Sequence, residues 1–83
     1  MRRFAVVVFG QAVQKMRELK ESSPADYQII KAWIADFQER GVGTSSLERK
    51  IRAIPTKYIL ICDIDVDHTR KVVDISVFRI EEE

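Results

Sequence analysis

The last third of the chain narrows most sharply what this sequence can fold into. Tyr58 to Val66 is an apolar run that passes into alternation, Val72 to Ile80 alternates again, and His68 and Thr69 lie at the break. Two such segments around a short polar break read as a β-hairpin. If Val66 faces Lys71, then Ile64 lies beside Val73, Cys62 beside Ile75 and Leu60 beside Val77, stacking apolar on apolar along one face. A one-residue slip would turn that whole set to solvent, so the pairing is favoured physically. A hairpin with one apolar face is marginal by itself, and helices are expected to cover that face.

The upstream sequence supplies them. Residues 3–9 are β-branched and aromatic and end at Gly10, which predicts a short, mostly buried strand. Ala12, Val13, Met16 and Leu19 then recur at helical spacing between Gln11 and Glu21, before Ser22-Ser23-Pro24 interrupts them. A second helix has a clear start: Ser23 suits the N-cap, Pro24 the first helical position and Asp26 the capping-box acid. Tyr27, Ile30, Trp33, Ile34 and Phe37 form its apolar stripe, and Gly41 suits its end. Val42 to Thr44 reads as a flexible turn. Ser45-Ser46-Leu47-Glu48 repeats the capping-box pattern, so residues 45–54 read as a short third helix or as a strand before Pro55. The prediction is one α+β domain over residues 1–83. It has an N-terminal strand, two packed helices and a C-terminal antiparallel hairpin, forming a small three- to four-stranded, mainly antiparallel sheet.

Composition removes several function classes. At 83 residues, 46% apolar and 33% charged, the chain matches a single globular domain with no room for a catalytic insert. One cysteine and one histidine exclude an intramolecular disulfide framework, a multi-cysteine zinc site and a two-histidine metal site. No cofactor is expected. The longest apolar runs are too short to cross a bilayer, and no cleavage-site pattern follows Met1-Arg2-Arg3-Phe4, so a cytoplasmic protein is expected.

The overall charge of +1 conceals a polarity: residues 1–58 carry eleven basic and six acidic groups, residues 59–83 three and seven. Arg49, Lys50, Arg52 and Lys57 make the densest basic stretch and are candidates for binding RNA or a protein partner. Glu81-Glu82-Glu83 reads as a frayed, solubilising tail.

The hairpin's polar face is acidic. The same register sets Asp63 across from Asp74, with Asp65 next along the strand, and like charges directly opposed in a sheet are destabilising. Three explanations stand: a neighbouring Arg or Lys neutralises the pair, a basic partner protein binds there, or a divalent cation is held. An EF-hand reading of Asp63-Ile64-Asp65-Val66-Asp67 fails, because His68 and Asp74 occupy the positions needing glycine and glutamate. The run Tyr58 to Asp65 is similar to the nucleophile strand of haloacid-dehalogenase-type phosphatases, which require a much larger domain. Gly10, Gly41 and Gly43 make no phosphate-cradling loop. His68 reads as an exposed turn residue, Cys62 as a small buried hydrophobe, and Trp33 and Phe37 as core.

Element order carries one family resemblance. Phe4-Ala5-Val6-Val7-Val8-Phe9 followed by Ala12, Met16 and Leu19 resembles the opening of RelE/ParE-superfamily toxins. Tyr58-Ile59-Leu60-Ile61 and Val73 to Arg79 look like that family's last two strands. The resemblance implies a small toxin neutralised by a cognate antitoxin, either cleaving mRNA on the ribosome as a metal-independent endoribonuclease or inhibiting another target. It assigns Arg79 to the family's arginine near the end of the last strand, with Tyr58 as a second catalytic candidate. Arg49, Lys50, Arg52 and Lys57 fall where the family often carries basic residues. The pattern departs at Ile59, where the family often has arginine. The alternative from the residues themselves is a non-enzymatic binding or regulatory module, phage- or plasmid-type, acting through its charge-polarised surface. Asp63, Asp65 and Asp74 make a candidate acidic partner face, and a homodimer formed along an exposed strand edge would add stability to so small a domain.

Overall fold

A computed structural model of the chain describes residues 4–42 and 49–83. The chain order is β1 (Phe4–Val8), α1 (Gln11–Ser22), α2 (Pro24–Arg40), β2 (Arg49–Arg52), β3 (Tyr58–Asp67) and β4 (Val72–Glu82). The strands form one four-stranded sheet in the order β1-β4-β3-β2. β1 runs parallel to β4, whereas β2–β3 and β3–β4 are antiparallel, so the sheet is mixed. The expected α+β architecture is therefore present: an N-terminal strand, two helices, then the remaining strands.

The two helices cover one face of the sheet. Ala12 and Leu19 of α1 and Ile30 and Phe37 of α2 meet Tyr58, Leu60 and Cys62 of β3 and Ile75, Val77 and Ile80 of β4. Phe4, Val6 and Val8 line the same core from β1, while Ala5 and Val7 are exposed. β1 is thus an edge strand buried on one face only, rather than the mostly buried strand its apolar run suggested.

Local chemistry sets the element ends. Pro24 opens α2, and the Ser23 hydroxyl donates to the Asp26 carboxylate at 3.1 Å. The capping pair thus forms between side chains, without a side-chain bond to the helix amides. Gly41 closes α2 at φ 71°, and its amide donates to the Phe37 carbonyl. The positive φ favours glycine, and a Cβ there would lie 2.5 Å from Phe4 Cε1, so the Phe4 ring would have to shift.

The hairpin differs from the sequence expectation in register, not in parity. Val66 pairs with Val73, Ile64 with Ile75 and Cys62 with Val77, two residues from the expected partners. A four-residue loop, His68 to Lys71, replaces the shorter break. The Asp67 carboxylate accepts from the Thr69 and Arg70 amides, and Lys71 adopts φ 57°. These local bonds fix the turn and hence the register. A β-bulge leaves Phe78 without a partner on β3, so that Ile61 pairs with Arg79 and Leu60 with Ile80. Across this irregularity Tyr58, Leu60 and Cys62 of β3 and Ile75, Val77 and Ile80 of β4 stay on the helix face, while Ile59 and Ile61 take the opposite face.

Of the two readings of residues 45–54, the strand is the one formed over Arg49–Arg52, where Ile51 pairs with Leu60 and packs against the core. The helix alternative does not form over 49–52, and Ser45 to Glu48 lie outside the described residues, as do Gly43 and Thr44 of the expected turn. Nor is the acidic terminus frayed: β4 continues through Glu82, and the Glu83 amide donates to the Lys57 carbonyl at 2.7 Å.

Candidate functional site

Alternation along the strands sorts the predicted site residues between the two faces. Lys50, Ile61 and Arg79 are partners across β2, β3 and β4, and the next outward rung is Arg52, Ile59 and Glu81. Lys50, Arg52 and Arg79 are all exposed, on the face turned away from the helices. With neighbouring strands about 4.8 Å apart, the Lys50 and Arg79 Cα atoms are about 10 Å apart across Ile61. Side chains of that length can converge on one anion. The structure therefore brings together three of the predicted basic residues, from segments far apart in sequence.

The others go elsewhere. Arg49 points to the opposite face, at the register position beside Cys62, and its Nε is buried with no hydrogen-bond partner among the described residues. Tyr58 is only 6% exposed and belongs to the core, with the Lys15 and Lys57 Nζ atoms 5.5 and 5.8 Å from its ring centroid. Tyr58 and Arg79 therefore lie on opposite faces and do not act on one phosphate.

The C-terminal glutamates sit among the bases. Glu81 Oε1 is 3.4 Å from Arg79 Nη1, Glu82 2.9 Å from Lys57 Nζ, and Glu83 2.7 Å from Arg52 Nη2. The Lys57 ammonium holds the Glu82 carboxyl below its usual value, and Glu82 raises Lys57 in return. Sequence reading missed these glutamates as site residues, because a run of like charges at a terminus gives no sign of the strand that carries it.

At the far end of the same face the acidic residues are redistributed. Asp65, not Asp63, pairs with Asp74, and Asp63 pairs with Ser76. A neighbouring base does meet one member of the pair that forms: Arg70 donates to Asp67 at 2.6 Å and to Asp74 at 3.4 Å. Asp67 is held below its ordinary value chiefly by the Arg70 guanidinium. Asp63 and Asp65 remain exposed. Among the described residues no group of three or more His, Cys, Asp or Glu is placed to hold a metal ion. Cys62 is fully buried, and burial pushes its thiol up to about 12, so it is no nucleophile at neutral pH. A shallow recess of about 290 Å³ on the helical side is lined by Val8, Val13, Met16, Arg17, Lys20 and Tyr27. It holds no acid–base or nucleophile pair. Among the described residues no helix is long and apolar enough to cross a membrane.

Comparison with known proteins adds no assignment: no family model, curated protein or solved structure matches the chain.

Proposed function

We propose that this chain is a RelE/ParE-like toxin or toxin relative that inhibits translation in the cytoplasm by cleaving mRNA, and that a cognate antitoxin is its protein partner. The observation that supports the reading is the placement of Lys50 and Arg52 on β2 and Arg79 on β4, either side of β3 and exposed on the same sheet face. The order of strand, two helices and C-terminal hairpin, which the family resemblance implies, supports it as well. Basic side chains position an RNA backbone through its phosphates. A guanidinium beside the scissile phosphate stabilises the charge that grows there, without a metal.

In this reading Arg79 carries that charge, Lys50 and Arg52 hold flanking phosphates, and Glu81 takes the 2′-hydroxyl proton. The freed 2′-oxygen attacks phosphorus, the bond to the 5′-oxygen breaks, and that oxygen leaves with a proton from water. Glu81 is a carboxylate in contact with Arg79, at 3.4 Å, which is why it is given the base role.

A second reading, a non-enzymatic binding module, is favoured by one observation. Asp63 and Asp65 are exposed one and two rungs from the bases and repel a phosphate backbone. Cell-free translation with purified protein, with mapping of mRNA ends, separates the two. The ribonuclease reading expects ribosome-dependent cleavage that Arg79→Ala and Glu81→Gln each reduce by a factor of about 100 or more, with folding intact. Unimpaired translation by folded protein would remove it and leave the binding module.

A further inference from the structure

The sheet face turned away from the helices is bipolar, and its order of charges matches a copy of itself. Along β3 the outward rungs run Arg52–Ile59–Glu81, Lys50–Ile61–Arg79, Asp63–Ser76–Val7 and Asp65–Asp74–Ala5. The first two carry the bases Lys50, Arg52 and Arg79, and the last two carry Asp63, Asp65 and Asp74. The sign changes between Ile61 and Asp63. On the β1 side the same face exposes apolar surface: Val7 is 54% and Phe9 47% exposed. The Phe9 ring lies 6.4 Å from that of Phe78, the bulged residue.

We propose that two copies of the chain stack these faces about a two-fold axis that crosses β3 at Cys62, perpendicular to the strands. Successive outward rungs are about 6.7 Å apart. An axis midway between the Ile61 and Asp63 rungs therefore lays each basic rung over an acidic rung of the other copy. β3 then lies over β3, so Asp63 of one copy falls between the exposed Lys50 and Arg79 of the other, above Ile61, which is itself buried. β1 crosses β1, so Val7 falls over the Phe9–Phe78 pair. Every contact occurs twice, as an isologous interface requires. An axis parallel to the strands would set base on base and acid on acid. The two carboxylates this arrangement brings closest, Asp74 and Glu81, are each met within their own copy, by Arg70 and Arg79 at 3.4 Å.

The face measures about 20 Å by about 20 Å, from four strands and four outward rungs. That is roughly 400 Å² per copy, or about 800 Å² in total, below the range of stable specific interfaces, so the association is a weak, transient one. This association does not depend on the ribonuclease reading, and mass is its readout rather than activity.

Sedimentation velocity over a concentration series tests it. The full chain is expected to pass from monomer to dimer as concentration rises. Asp63→Lys and Arg79→Glu each weaken the dimer about tenfold or more, and an equimolar mixture of the two variants recovers association, because the exchanged charges now match. Val7→Asp, at an exposed position, weakens the dimer independently should a charge variant fail to fold, which far-UV circular dichroism reports. A chain that stays monomeric throughout, or a dimer that all three folded variants leave unchanged, would overturn the proposal.

Discussion

Asp67 shows how much one side chain does at the hairpin end. Its carboxylate accepts the Thr69 and Arg70 amides and also holds the Arg70 guanidinium, which reaches on to Asp74. An asparagine keeps the amide acceptor and loses the ion pair, whereas alanine loses both. Thermal unfolding should therefore show Asp67→Ala lowering Tm more than Asp67→Asn does. The acid dependence follows from the lowered pKa. The folded-state value lies below the ordinary 3.8, so the contribution is present above 3.8 and is lost as pH falls through the folded value. Asp67→Asn should flatten the stability profile in that acid window and leave neutral pH little changed beyond the lost, solvent-screened ion pair. The acidic character of this face was legible in the sequence, but its neutraliser was not. Arg70 was identifiable as a base near the turn, yet its reach to Asp74 depends on the length of the loop.

Among the elements, the joint between α1 and β4 turns on a residue that no sequence pattern singled out. β1 ends at Val8, and beyond the bulge the backbone of Ile80 faces α1 instead of a strand. Gln11, the first residue of α1, fills the place of a strand partner: its Oε1 accepts from the Ile80 amide at 2.8 Å and its Nε2 donates to the Ile80 carbonyl at 3.1 Å. Gln11→Ala leaves both backbone groups without that partner and should destabilise the domain by about 1–3 kcal/mol, read from the denaturant midpoint at unchanged slope. The helices themselves were readable, because caps and 3.6-residue periodicity act within a few residues. The two-residue error in the hairpin register has a physical cause as well. Parity is enforced by burial of every second side chain, but a shift of two preserves that burial, and only the Asp67-centred turn selects among the allowed registers. The choice between helix and strand for residues 49–52 stayed open for a related reason, since it is settled by the pairing of Ile51 with Leu60 of β3.

At the scale of the whole molecule, an 83-residue domain has a core with little reserve. Leu60, fully buried at the centre of β3, meets both the helices and the flanking strands. Leu60→Ala should cost about 2–5 kcal/mol. That is a large part of the total of about 4–12 kcal/mol typical for this length, so chemical denaturation should show a markedly lower midpoint for the variant at unchanged slope. Charge works at this scale too. The sequence alone determined the first strand, the two helices and the hairpin in their order, the parity that separates core from surface, and the polarity of charge along the chain, since each depends on neighbours within one turn or one strand. Tertiary structure alone decided which bases face the same way. Lys50 and Arg79 lie 29 positions apart and become neighbours across Ile61, whereas Arg49, adjacent to Lys50, turns to the opposite face, and Tyr58 withdraws into the core. A functional surface on a sheet is assembled across strands, and cross-strand adjacency comes from pairing between distant segments, which local sequence does not encode.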